Sequence, residues 1–176
     1  MQKALFLDRD GIINIDHGYI YQVEKFEFTD GIFDLLRLFI QKDYILFIVT
    51  NQSGIGRGYY TEDDFHTLTK WMLEALKNEG IDIASVHYCR HAPEENCFCR
   101  KPKTGMVDEV LSKNSIDLRN SWLIGDKQSD IDLADNSKIS KSIAIGERSI
   151  ESANYTFKTI SECKLFLEEN EAIISS

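Results

Sequence analysis

The stretch Phe6-Leu7-Asp8-Arg9-Asp10-Gly11 sets two carboxylates two residues apart, where an apolar run meets a glycine. A second apolar run, Leu123-Ile124-Gly125, leads into Asp126 and then Asp130. Asp and Gly also suit ordinary turns, so either pair alone reads as a loop. Two such ends, with Phe47-Ile48-Val49-Thr50-Asn51 closing a third apolar run between them, form a set. Asp8 and Asp126 would supply hard oxygen ligands, which suit Mg²⁺ with its remaining water ligands.

A different chemistry lies between Tyr88 and Met106. Cys89, His91, Cys97 and Cys99 form two short-spaced pairs separated by five residues. Soft thiolates with one imidazole select Zn²⁺ at tetrahedral geometry. Four protein ligands leave no open position, so such a zinc is structural and not hydrolytic. Buried free thiols or a redox pair are the alternatives, although C-x-C is not the usual redox spacing. Arg100, Lys101 and Lys103 follow at once. A zinc-folded loop would thus present fixed cations, which lose little entropy on binding an anion. Cys163 stands apart and reads as a packing residue, and His66 and His87 lack a partner motif.

The rest of the chain must position these groups. Its 176 residues suit a single domain, 1–176, with a real core, and 43% hydrophobic and 28% charged residues are those of a soluble globular protein. A net charge of −9 argues against broad binding to nucleic acid. No apolar run approaches the ~18 residues of a membrane span, and the N-terminal run is too short for a signal peptide. The expectation is a cytoplasmic protein without a membrane partner, where a cysteine cluster reads as metal ligation before it reads as disulfide.

Short apolar runs at 3–8, 44–50, 85–89, 121–125 and 142–146 read as strands, several of them apolar on consecutive residues. Helical patterns lie between and after them, with Asp30, Thr61, Thr104 and Ser161 as expected N-caps and Gly80 as a stop. The alternation predicts an α/β, Rossmann-like parallel sheet covered by helices on both faces. Residues 173–176 are expected to fray. In open α/β sheets ligands bind beyond the carboxyl ends of the strands. Asp8-Arg9-Asp10, Thr50-Asn51, Cys89-Arg90-His91 and Gly125-Asp126 all fall there.

In this order and spacing the chain resembles the haloacid dehalogenase superfamily of phosphotransferases over nearly its whole length. Within it, DRDGIIN, DHGY, TNQSGIGRGYY, C-x-H…C-x-C-RKP and GDK resemble the D,D-heptose 1,7-bisphosphate phosphatases. Histidinol-phosphate phosphatases are near relatives sharing the zinc loop. Ile12 stands where Thr is usual, the zinc loop is short, and LADNSKI lacks the usual glycine-containing pattern.

The resemblance implies Asp8 as nucleophile, forming an aspartyl-phosphate, and Asp10 as the proton donor and then base. It implies an Mg²⁺ held by Asp8, Asp126 and the backbone carbonyl of Asp10, and a structural Zn²⁺ on Cys89, His91, Cys97 and Cys99. Thr50 would offer a hydroxyl to the phosphoryl oxygens and Lys101 an ammonium, with Lys103 a possible substitute. Implied substrate contacts are Arg9, Asp16, His17, Gly18, Tyr19, Asn51, Gln52, Ser53, Arg57, Arg100 and Lys127. The chemistry asks for such residues: at ~3.5 Å and a dielectric of ~20, like unit charges repel by roughly 5 kcal/mol. One hydrogen bond returns only about 1 kcal/mol, so a carboxylate attacking a phosphate needs a dication and a fixed ammonium.

The intervals between motifs leave no room for a ~50-residue cap domain. Specificity then falls to the loops 14–28, 51–60 and 90–100. The expected activity is a monomeric, Mg²⁺-dependent phosphatase that removes the C7 phosphate of a small sugar bisphosphate, in nucleotide-activated heptose biosynthesis. The alternatives are a histidinol-phosphate phosphatase and a noncatalytic zinc-stabilised binding module. The acidic balance speaks against a DNA 3′-phosphatase.

Overall fold

The computed structural model describes residues 1–175. Among them, six strands form one parallel sheet: β1 (Lys3–Leu7), β2 (Tyr44–Asn51), β3 (Ile83–Cys89), β4 (Trp122–Gly125), β5 (Lys141–Ile145) and β6 (Tyr155–Phe157), in the order β3-β2-β1-β4-β5-β6. The helices are α1 (Ile32–Gln41), α2 (Ser53–Gly56), α3 (Glu62–Asn78), α4 (Gly105–Lys113), α5 (Gln128–Ser137), α6 (Ile160–Glu169) and α7 (Ala172–Ser175). No helix among the described residues is long and apolar enough to cross a membrane.

Side chains alternate across the sheet with a period of two, and both faces are buried. Leu5, Leu7, Leu46, Ile48, Trp122, Ile124 and Ile143 pack with α1, α3 and α6. Ala4, Phe6, Phe47, Val49 and Leu123 pack with α4 and α5. Burial on both faces explains why the strands are apolar on consecutive residues. Leu7 is in register with Ile48 and with Ile124, so β1, β2 and β4 release the chain at one edge. The chain runs outward from β1 through β2 to β3, then returns to place β4 on the other side of β1. The switch point therefore lies between β1 and β4.

Several boundaries differ from the expectations. The N-cap of α1 is Gly31, not Asp30. Gly31 has φ 78°, and a Cβ there would lie 2.6 Å from Ser161 Oγ, because α1 and α6 begin side by side. The cap of α6 is Thr159, not Ser161, with Thr159 Oγ1 accepting from the Glu162 amide. Thr61 caps α3 as expected, in a reciprocal pair with Asp64. Thr104 precedes α4, but its hydroxyl donates to Asp108 instead of accepting from the backbone. α5 and β6 had no sequence signal: α5 is largely polar, and β6 spans only three residues. Residues 172–175 do not fray but form a helical turn that buries Ile174; Ser176 lies outside the described residues.

Candidate active site

β1 ends by delivering Asp8, Arg9 and Asp10 into a tight turn, in which the amides of Ile12, Ile13 and Asn14 all donate to the Arg9 carbonyl. Gly11 has φ +91°, and a Cβ on it would sit 2.5 Å from the Asp126 carboxylate. Only glycine lets the turns after β1 and β4 approach this closely. Asp8, Asp126 and Asp130 bring carboxylate oxygens within 4.8 Å of one another, and all three are buried.

One cation neutralises part of this cluster. Lys101, only 4% exposed, places Nζ 2.9 Å from Asp8 Oδ1 and 2.7 Å from Asp130 Oδ1, and donates to the Val49 carbonyl. Burial works against the ammonium, but Asp130 and Asp8 outweigh it and hold the Lys101 pKa above its usual value. Burial raises the Asp8 pKa to about 7, opposed chiefly by Lys101. Asp126 is likewise raised, first by burial, against the pull of Lys127. Arg148 pairs with Asp126 Oδ2 and Lys127 stands 3.9 Å from Oδ1, yet the buried Oδ1 of Asp126 has no hydrogen-bond partner. This donor set of hard oxygens fits a small divalent cation.

Asp10 stands outside that cluster. Its Oδ1 accepts from Arg9 and Asn14, and its Oδ2 from Gln52 Nε2 at 2.9 Å. Burial pushes its pKa up, but Arg9, Asn14 and Gln52 together hold it below the usual carboxylate range. Gln52 also donates to Thr50 Oγ1 and accepts from the Tyr60 hydroxyl, so Tyr60, Gln52, Asp10 and Thr50 form one network. Thr50 accepts in that bond, which leaves its hydroxyl proton to donate elsewhere.

The loop after β3 begins at Cys89, in register with Asn51. Cys89 Sγ lies 3.5 Å from Cys97 Sγ and 3.7 Å from His91 Nδ1, and His91 Nδ1 lies 3.3 Å from Cys99 Sγ. A tetrahedral zinc with bonds of about 2.0–2.3 Å has ligand-to-ligand edges of roughly 3.3–3.8 Å, so the four residues fit zinc. All of the cysteines are free. Lys103 donates to Asn96 Oδ1 and the Cys97 carbonyl, which ties it to this loop and away from the carboxylates. Asn51 takes the Lys101 amide on Oδ1, so the strand end holds the loop that carries Lys101.

A cleft of about 300 Å³ is lined by Asp10, Asp16, Gly18, Tyr19, Asn51, Gln52, Ser53, Tyr60, Arg100, Lys127 and Ser129; it meets the chain neighbours of the buried cluster, while Asp8, Lys101, Asp126 and Asp130 themselves do not line it. Arg100 Nη1 is buried there without a partner. Three expected contacts lie elsewhere. Arg9 is 1% exposed; its Nε and Nη2 donate to Asp10 and the Ile20 carbonyl inside the protein, and its Nη1 is buried without a partner. His17 turns outward to Glu27 and lines a separate depression with Tyr21 and Glu24. Arg57 is exposed at the end of α2 and is absent from the cleft lining, because the 51–60 segment coils into a helical turn that carries it outward. Sequence reasoning did not single out Tyr60, Ser129 or Arg148 for the site, although Tyr60 stands in the quoted TNQSGIGRGYY; Asp130 was read as part of the motif but not as the anchor of Lys101.

The family model for polynucleotide kinase 3 phosphatase matches residues 10–157. The D-glycero-alpha-D-manno-heptose-1,7-bisphosphate 7-phosphatase of Campylobacter jejuni is 45% identical over 96% of this chain and 98% of its own length. The D-glycero-beta-D-manno-heptose-1,7-bisphosphate 7-phosphatase of Helicobacter pylori strain J99 is 50% identical over 81% and 83%. The D,D-heptose 1,7-bisphosphate phosphatase of B. bronchiseptica, solved with magnesium and phosphate, superposes with a TM-score of 0.83 over 96% of this chain and 99% of its own; at 22% identity it speaks for the fold. By fold and by sequence along almost its entire length, the chain belongs to the D,D-heptose 1,7-bisphosphate phosphatase family of the haloacid dehalogenase superfamily.

Proposed function

We propose that this single-domain chain hydrolyses the C7 phosphate of D-glycero-D-manno-heptose 1,7-bisphosphate through an aspartyl-phosphate on Asp8. The observation that carries the reading is the buried Asp8, Lys101, Asp130 and Asp126 cluster, whose chain neighbours Asp10, Arg100 and Lys127 line a small polar cleft. Asp8 attacks phosphorus while Asp10, ionised in the free site and raised in proton affinity only when the anionic phosphate binds beside it, gives a proton taken up with the substrate to the leaving sugar alkoxide. Asp10 then takes a proton from the water that cleaves the acyl-phosphate. Gln52 and Arg9 keep Asp10 in place for both transfers.

Mg²⁺, held by Asp8, Asp126 and the Asp10 carbonyl, would neutralise charge on the transferring phosphoryl group. The Thr50 hydroxyl binds the same group's oxygens, and Lys101, whose three protons go to Asp8, Asp130 and the Val49 carbonyl in the free site, joins it by exchanging one of those acceptors. Zinc on Cys89, His91, Cys97 and Cys99 would keep the loop folded, so that Arg100 and Lys101 arrive preorganised. Arg100 and Lys127, both at the cleft, are the cations suited to the second phosphate. The same reading has the enzyme act as a cytoplasmic monomer on a soluble sugar phosphate, in the synthesis of nucleotide-activated heptose. A polynucleotide end is a poor substrate for a chain of net charge −9.

The test is turnover of both anomers of the heptose bisphosphate, heptose 7-phosphate, histidinol phosphate and a phosphorylated DNA 3′-end, with EDTA and with Mg²⁺ restored. The bisphosphate should give the highest kcat/KM, abolished by EDTA and recovered with Mg²⁺. A higher kcat/KM for histidinol phosphate or the DNA end would replace the substrate. Phosphate release that persists in EDTA would remove the metal from the mechanism.

A further inference from the structure

The loop between β5 and β6 is tied to the segment after β4 at two points. Arg148 Nη1 donates to Asp126 Oδ2 at 2.5 Å and to the Asp126 carbonyl at 3.0 Å. Gln128, in the first turn of α5, donates to the Glu151 carbonyl at 3.1 Å and accepts from the Glu151 amide at 2.8 Å. These contacts grip one oxygen and the backbone of a residue whose other oxygen, Oδ1, is buried and unpartnered. Lys127 Nζ, at 3.9 Å, is too far from Oδ1 for a hydrogen bond. From the outside, Arg148 and Asp126 line a cavity of about 730 Å³ distinct from the substrate cleft.

We propose that Arg148 is a positioning residue for the metal: it clamps Asp126 through Oδ2 and the main chain, so that Oδ1 is the lone-pair donor offered to the ion. The inference rests on Asp126 being a metal ligand. Partners that orient a metal-binding side chain are worth 10–100-fold in affinity. The opposing effect is repulsion between the guanidinium and the dication. The Arg148 side chain is 55% exposed, so water and salt screen that repulsion, and the orienting effect wins. The second tie, through Gln128, holds the loop where Arg148 can reach.

Mn²⁺ serves as the probe, with free ion counted by electron paramagnetic resonance against the zinc-loaded protein. Arg148→Gln should weaken Mn²⁺ binding about 10-fold or more, with Arg148→Lys between it and the wild type. Gln128→Ala, which loosens the loop and leaves Arg148 intact, should weaken binding in the same direction. At saturating metal, kcat of Arg148→Gln should stay within about 3-fold of the wild type, since the ligand is recovered once the ion is bound. An Arg148→Gln variant that keeps a native circular dichroism spectrum and binds Mn²⁺ as well as or better than the wild type overturns the proposal; tighter binding would make Arg148 a competitor of the ion. Asp126→Asn is the separate control. Its loss of Mn²⁺ binding supports the ligand reading, and unchanged binding would overturn that reading independently of Arg148.

Discussion

Replacing Lys101 by Met keeps the length of the side chain and deletes its charge. In the wild type the ammonium touches two buried carboxylates, at 2.9 Å and 2.7 Å, and a main-chain carbonyl. Removing one partner of a buried ionic network leaves the others uncompensated, which costs about 3–5 kcal/mol. For a chain of this size 1 kcal/mol moves Tm by roughly 2–4 °C, so the loss is about 6–20 °C. Asp130→Asn in the same chain removes one of the stranded charges. The double variant should therefore recover part of the loss, in the manner of coupled sites. Added Mg²⁺ should also return part of it, because a dication at Asp8 and Asp126 compensates the same carboxylates. Activity should fall further than stability suggests: a fixed charge aimed at a developing oxyanion is worth about 10²–10³ in kcat. Calorimetry with and without Mg²⁺, beside initial rates on the bisphosphate, measures both. Lys103→Met is the comparison, since its ammonium is held by Asn96 and the Cys97 carbonyl of the cysteine loop. If Lys101→Met keeps its Tm within about 2 °C and its kcat within about tenfold, the buried charge network is not what organises this site.

Elemental analysis should find about one zinc per wild-type chain, lost in Cys97→Ser together with kcat as the loop that carries Lys101 loosens; a zinc-free variant of full activity would separate the two sites. Gly11→Ala combines a left-handed φ with a Cβ 2.5 Å from the Asp126 carboxylate, so it should cost about 1–3 kcal/mol in denaturant unfolding and weaken Mg²⁺ binding. Arg100→Ala should lower kcat/KM for the bisphosphate more than for an aryl phosphate, whereas Arg57→Ala should leave both near wild type; the reverse ranking would return Arg57 to the cleft. Cys163 is fully buried, and burial raises its pKa to about 12, so its thiol stays protonated at any ordinary pH. Iodoacetamide at pH 8 should therefore label it only after unfolding, and rapid labelling of the native protein would contradict that burial.

Composition and order along the chain carried a large part of this molecule. Apolar runs on consecutive residues announced strands buried on both faces, and the five expected strands lie within two residues of their positions. The cluster of the thiol loop was legible because donors close in sequence meet locally: Cys89, His91, Cys97 and Cys99 lie within eleven residues and come together in the fold at spacings that fit a zinc. The carboxylates were legible for another reason, since strand ends of a parallel sheet must meet at one edge. What the chain alone left open were contacts between segments far apart. Whether Lys101 or Lys103 meets the carboxylates is decided only by the folded loop, which places Lys101 Nζ between Asp8 and Asp130 and Lys103 Nζ on Asn96 and the Cys97 carbonyl. Arg57 looked like a substrate contact by loop order, but a single turn of α2 rotates it into solvent. Arg9 had the charge of a ligand contact, yet the turn after β1 folds it inward onto Asp10. Arg148, 22 residues from Asp126, carried no motif at all, because a hydrogen bond between two loops leaves no periodicity in either. Charge and spacing are written along the chain, whereas the direction in which a long cationic side chain points is decided by backbone packing around it.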